Sequence, residues 1–219
     1  MSRQITSFYG LTSTELEIID SNISMAVSRT LDCFTYIKNK YYTANSINFL
    51  HSGQYFIFLL YLANTIYTFE IKSKQEKAES VLKARMICDK IYCLNKMLSS
   101  CDFYYEVELP KYFLVEHPTG SVIGRAHIGD GFMFYQGCTV GGNNGKYPTI
   151  GENVVMYSNS KILGDSRIGN NVLIGANCYI KDMEIPDNVM VFGQYPNIVI
   201  KKGHNEKIHE VINQLFRIG

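Results

Sequence analysis

His117 stands in the run Val115-Glu116-His117-Pro118-Thr119-Gly120, and an acid, Asp102, lies fifteen residues before it. An imidazole, with a reference pKa of about 6.5, can take a proton from a poorly nucleophilic hydroxyl near neutral pH and hand it on afterwards. A carboxylate on the far ring nitrogen would fix the tautomer and stabilise the imidazolium. By itself, a single histidine before Pro-Thr-Gly reads as a turn residue. Other chemistries have less to work with. The histidines His51, His117, His127, His204 and His209 form no HxH or HExxH arrangement, so no metal site is expected. His127 falls at an outward corner of the repeat described next. The glycine-rich stretch at 141–145 follows no Walker pattern, so no phosphate loop is expected.

The elements that must position such residues are legible as a period. An apolar residue returns every sixth position at Val122, Ile128, Phe134 and Val140. Four extra residues intervene, and the count resumes at Ile150, Met156, Ile162, Ile168, Ile174 and Ile180. Neither a helix nor an ordinary strand has this spacing; a short fixed repeat predicts a solenoid of parallel strands. Each unit supplies one strand and one corner, so three units close a triangular coil and residues eighteen apart stack, Ile150 on Ile168 and Val122 on Val140. About four coils are expected between Leu109 and Ile185, at the strand spacing of about 4.8 Å. Slim residues recur at the fifth place (Ala126, Cys138, Val154, Ser160, Ser166, Val172, Cys178), and glycine often follows the apolar residue (Gly129, Gly141, Gly151, Gly169, Gly175). These glycines are expected to relieve corners at positive φ.

The first hundred residues differ in kind. Thr12 with Glu15, and Ser73 with Glu76, have capping-box spacing. Leu16, Ile19, Ile23, Val27, Leu31 and Phe34 then step by three and four, an amphipathic helix. Tyr55–Phe69 predicts a second, buried helix and Glu76–Leu98 a third. The fold class expected is α+β: an α-helical region over 1–101, a β-helix over 102–203, and a tail over 204–219 that forms a short helix. The net charge of +1 offers no electrostatic case for nucleic acid. The apolar segment Tyr55–Phe69 is shorter than the ~20 residues a membrane span needs, and the N-terminal run has no apolar core of signal-peptide length. Six cysteines without CxxC spacing predict packing thiols in a reduced, cytoplasmic protein.

From Asp102 to Gly142, the stretch DFYYEVELPKYFLVEHPTGSVIGRAHIGDGFMFYQGCTVGG closely resembles serine O-acetyltransferases. These are hexapeptide acyltransferases built on left-handed parallel β-helices. The resemblance continues through PTIGENV, KILGDSRIGNNVLIGANCYI and GQYPNIVIKK, covering about the C-terminal half. It implies that the β-helix is left-handed, that His117 is the catalytic base and that Asp102 orients it. It further implies acetyl-CoA as donor, held in a groove between subunits of a homotrimer that a helical cap can double to a hexamer. Gly141, Gly142 and Ala176 would admit the pantetheine arm closely, and Lys201 and Lys202 would meet the CoA phosphates.

The acceptor side departs from the family. Glu116 stands where the family has an aspartate for the substrate amine. Lys146 and Tyr147 stand where the family places Arg-His to grip a carboxylate, in a loop about four residues shorter. No acid lies between Asp32 and Glu70 to complete an amine clamp. The expectation is an O-acetyltransferase for a small acceptor. The missing carboxylate grip favours a sugar hydroxyl of a surface-polysaccharide precursor over L-serine on the way to cysteine. A non-catalytic scaffold is disfavoured by the Asp102–His117 pair.

Overall fold

In the computed structural model, which describes residues 1–73 and 78–218, helices occupy the N-terminal part and strands the rest. Helix α1 spans Ser2–Tyr9, α2 Ser13–Tyr36, α3 Ser52–Ile66 and α4 Ala78–Ser99. The Thr12 capping box forms as the spacing predicts: the Thr12 hydroxyl accepts from the Glu15 N–H, and the Glu15 carboxylate accepts from the Thr12 N–H. The Ser73–Glu76 box lies partly outside the described residues.

The face that α2 buries is offset from its apolar stripe. Ile19, Asn22, Ala26, Thr30 and Cys33 are buried, whereas Leu16 is 38% exposed. The offset brings polar side chains of α2 onto α3. α3 is buried throughout from Phe56 to Ile66 and continues as a single wider turn, Tyr67–Lys72. Its Asn64 and Thr65 would be costly there without partners. Arg29 of α2 supplies them, donating from its two terminal nitrogens at 2.8 Å each, and its guanidinium lies over the Tyr61 ring.

From Asp102 on, the chain is a parallel β-solenoid of about five turns with three walls. One wall runs through Asp102–Phe103, Val122–Ile123, Thr139–Gly141, Lys161–Leu163 and Tyr179–Lys181. The second stacks His127–Ile128, Thr149–Ile150, Arg167–Ile168 and Glu184–Ile185, and the third Phe113–Val115, Phe132–Phe134, Val155–Met156 and Val172–Ile174. Val189–Gln194 joins the first and third walls, and Asn197–Lys201 folds back on it antiparallel. Three columns of side chains fill the axis: Phe103–Ile123–Val140–Ile162–Ile180, Val115–Phe134–Met156–Ile174–Val191 and Ile128–Ile150–Ile168–Ile185.

Three details differ from the sequence reading. Val122 is 44% exposed, and Ile123 takes the inward place above Val140. The His117 turn precedes this strand and shifts its phase by one residue, which flips side chains between faces. The solenoid also begins earlier and ends later than Leu109–Ile185, adding a turn. The glycines after the apolar residues are not at positive φ either. At Gly151 a Cβ would meet the Gly169 backbone at 2.8 Å, so close approach of successive coils excludes a side chain there. The left-handed corners fall instead to Asn153, Asn171 and Asn188, at φ 56, 54 and 57. Their amides form a ladder, Asn153 donating to Asn171 at 3.1 Å and Asn171 to Asn188 at 3.0 Å. Asparagine tolerates this region better than other non-glycine residues.

The tail is helix α5, Asn205–Leu215. Its Ile208 and Ile212, with Phe216, are buried in one apolar core that runs from Cys33, Phe34 and Phe56 through the solenoid axis. Lys38 donates to the Leu215 carbonyl and Arg217 to that of Tyr36, tying the tail to the end of α2. Helices α2 and α3, the solenoid and the tail therefore share one core, and α1 and α4 pack against α2 and α3 around a second.

Candidate functional site

The His117 turn is pinned from both sides. Gly120 donates to the Ser100 carbonyl at 2.8 Å, and Gly137 of the next coil donates to that of Thr119 at 3.0 Å. Ser121 donates to the Pro118 carbonyl at 3.0 Å and Thr119 to that of His117 at 2.7 Å. Pro118 is buried beneath, while His117 is exposed and held at φ 49. Such a conformation costs of the order of 1–2 kcal/mol for a residue with a Cβ. Here the four hydrogen bonds impose it, and the ring is presented outward.

Asp102 sits alongside, its N–H donating to the Ser121 carbonyl at 2.9 Å. Its carboxylate, 28% exposed, accepts from the Tyr92 hydroxyl at 2.5 Å and from Lys96 Nζ at 2.6 Å. No hydrogen bond joins Asp102 to His117 among the described residues, so the expected orienting contact is not made in this structure. Burial, and then the Asp102 carboxylate, push the Tyr92 phenol up to about 12, so it remains a donor. The bond to Asp102 likewise raises Lys96.

Glu116 is half-buried, its N–H donating to the Phe134 carbonyl at 3.1 Å. Its Oε1 accepts from Asn39 Nδ2 at 3.2 Å. Below it, Tyr135 and Tyr157 stack with ring centroids 5.5 Å apart. Burial first, and the Glu116 charge second, raise Tyr135 above its ordinary value.

The inserted loop folds as a two-residue hairpin. Asn143 and Lys146 exchange both backbone hydrogen bonds around Asn144 and Gly145, at φ 50 and 77. Two central residues at positive φ make this the type I′ turn that Asn-Gly favours. The hairpin shapes both acceptor candidates. Lys146 Nζ is bonded to Asp165 at 2.8 Å, and Tyr147, 44% exposed, lays its ring against Gly142. A Cβ on Gly142 would come within 2.7 Å of that ring, so Gly142 makes room for Tyr147 rather than for a ligand. A Cβ on Gly141 would meet only ordinary contact with Leu163. Ala176 is exposed at a corner, and Lys202 is exposed beyond the last strand. Lys201 ends the Asn197–Lys201 strand with Nζ over the Phe192 ring. Three strands separate it from Gly141 in the sheet, so the structure does not bring these cofactor candidates together within one chain.

Tyr92, Lys96 and Asn39 were not found in the sequence. Tyr92 and Lys96 share a helix face by their four-residue spacing, but the turn that folds Asp102 back onto them has no sequence signature. Asn39 reaches Glu116 across 77 residues. Among the described residues no group of histidine, cysteine or acidic side chains is placed to hold a metal ion.

The family described as bacterial transferase hexapeptide (six repeats) matches residues 147–182. A serine acetyltransferase of Staphylococcus epidermidis is 33% identical over 145 residues, covering 64% of this chain and 66% of the relative. The chain is similar to serine acetyltransferases and carries a hexapeptide-repeat segment. It spans just under two thirds of that relative's length and about half of the Synechococcus elongatus serine acetyltransferase, of which it matches 47%. In fold, this hexapeptide-repeat chain is similar to the serine acetyltransferase of Brucella abortus (TM-score 0.65, 21% identity, 85% of this chain and 73% of that one). A serine acetyltransferase solved in complex with CoA has the same likeness, with a TM-score of 0.63 at 17% identity and the same coverage of both chains.

Proposed function

We propose that the protein transfers an acetyl group from acetyl-CoA to the hydroxyl of L-serine. The observation that carries the reading is the exposed imidazole of His117 on a turn pinned beside Asp102. The serine acetyltransferase relatives support acetyl-CoA as donor and serine as acceptor, in place of the sugar that the loop residues suggested. His117 takes the hydroxyl proton as the oxygen attacks the thioester carbonyl; the tetrahedral intermediate then collapses, expelling the CoA thiolate, which receives that proton from the imidazolium. Asp102 steadies the imidazolium, and Glu116 meets the acceptor amine. A homotrimer, with CoA between neighbouring prisms, suits cofactor candidates that one chain leaves apart. Among the described residues no helix is long and apolar enough to cross a membrane, and a cytoplasmic setting is part of the proposal.

One observation favours a second reading. Lys146 next to Tyr147 is tied to Asp165 at 2.8 Å rather than held out for a carboxylate, which suits a neutral hydroxyl acceptor such as a sugar. A thiol-release assay with acetyl-CoA across L-serine, nucleotide sugars and short glycans separates the two. Turnover of L-serine at a kcat/KM of about 10⁴ M⁻¹s⁻¹ or more is the expected result. Turnover confined to sugars would replace the serine reading. In the same assay Asp165→Asn, by freeing Lys146, is expected to lower the KM for L-serine and leave that for a neutral acceptor unchanged.

A further inference from the structure

The helical region grips the acid of the proposed dyad more firmly than anything in the solenoid does. Both oxygens of Asp102 are taken from α4, one by the Tyr92 hydroxyl and the other by Lys96 Nζ. The donors are themselves fixed. Lys96 Nζ lies 5.7 Å from the centroid of the Tyr92 ring. That ring meets Tyr104 and Tyr105 edge-on, at 5.4 and 6.3 Å, and the buried Tyr105 donates its hydroxyl to Asp89 of the same helix. The end of α4 is also joined to the His117 turn: Ser100 donates back to the Lys96 carbonyl and accepts from Gly120.

We infer that Lys96 and Tyr92 are positioning residues, which hold the Asp102 carboxylate in place beside the His117 turn. The inference rests on the acetyltransferase reading. Charge-assisted hydrogen bonds are short and strong, and an ionised carboxylate has about four acceptor sites. Two donors from α4 therefore leave sites for an imidazole N–H. On this arrangement the helical region is part of the catalytic apparatus, because the position of the acid proposed to meet His117 is set from α4.

The test uses the full chain with Lys96→Met, Lys96→Arg and Tyr92→Phe. Lys96→Met is expected to lower kcat about tenfold, with KM for acetyl-CoA and acceptor within about twofold, the pattern of a lost transition-state contribution. Lys96→Arg, which keeps the charge and the donor, is expected to restore most of it, and Tyr92→Phe to lose less than Lys96→Met. A second readout needs no turnover: in Asp102→Asn, the Lys96 ammonium followed by NMR is expected to titrate at lower pH than in the wild type. An active wild type with an equally active Lys96→Met variant overturns the inference and leaves the function standing. A wild type inactive on every acceptor overturns the function instead. The clamp is then judged on Lys96 alone, and a titration unchanged by Asp102→Asn overturns it.

Discussion

Asn39, three residues beyond the end of α2, donates its amide to the Glu116 carboxylate at 3.2 Å, across 77 residues of sequence. The contact occupies one Glu116 oxygen and leaves the other for an acceptor. It also brings a neutral amide from the helical region to the proposed acceptor site, where no acid between Asp32 and Glu70 is available. Asn39→Ala is expected to raise the KM for an amine-bearing acceptor several-fold, on the scale of one hydrogen bond to a charged group of about 1.5 kcal/mol. Steady-state kinetics should show kcat nearly unchanged. A lowered kcat at constant KM would place Asn39 elsewhere in the reaction.

His117→Ala removes the proposed base but none of the hydrogen bonds that hold its turn, since those use backbone groups. The expected loss in kcat is about 10² or more, with CoA affinity by calorimetry nearly unchanged. Wild-type turnover in this variant would end the mechanism proposed.

The asparagine ladder gives a stability prediction. Asn171 both donates and accepts an amide hydrogen bond and sits at φ 54. Asn171→Ala loses both bonds and takes on left-handed strain, for an expected loss of about 2–3 kcal/mol. Asn171→Gly loses the bonds but is free of the strain, so it should be destabilised less. Denaturant unfolding of the two variants gives the order, and an alanine variant no weaker than the glycine one would show that the backbone angle carries no strain.

Glu15 supplies a pH dependence. Burial acts to raise its pKa, but hydrogen bonds from Lys90 and from the Thr12 N–H and hydroxyl, with the Lys90 charge, hold it below the ordinary carboxylate value. A group depressed in the folded state stabilises the fold above its unfolded pKa, about 4.3, and that contribution is lost as pH falls through the folded value. Thermal unfolding followed from pH 6 to 3 should therefore fall more steeply in the wild type than in Glu15→Gln. The glutamine keeps the reach of a capping box. Parallel curves would show that Glu15 does not titrate against folding.

The solenoid from Ile128 to Ile180 was legible in the sequence because its period is local: each inward residue is set by a strand and corner only six residues long. The Thr12 capping box and the buried α3 were legible for the same reason. Val122 was not, because its register depends on how many residues the His117 turn consumes. The corner asparagines were passed over for the glycines, since a residue that needs positive φ and one that needs an absent Cβ look alike without coordinates.

What the sequence by itself determined is the repeat, the fold class and the presence of an Asp102, Glu116 and His117 set. Those follow from residue type and short-range spacing. Only the tertiary structure decided which donors meet those acids, Tyr92 and Lys96 on Asp102 and Asn39 on Glu116, and that Lys146 donates to Asp165. It also showed that the tail closes the core at Phe216 beside Ile37. The physical reason is range. A period records contacts between neighbours along the chain, whereas hydrogen bonds across tens of residues depend on how the two cores pack the helices against one another and against the solenoid.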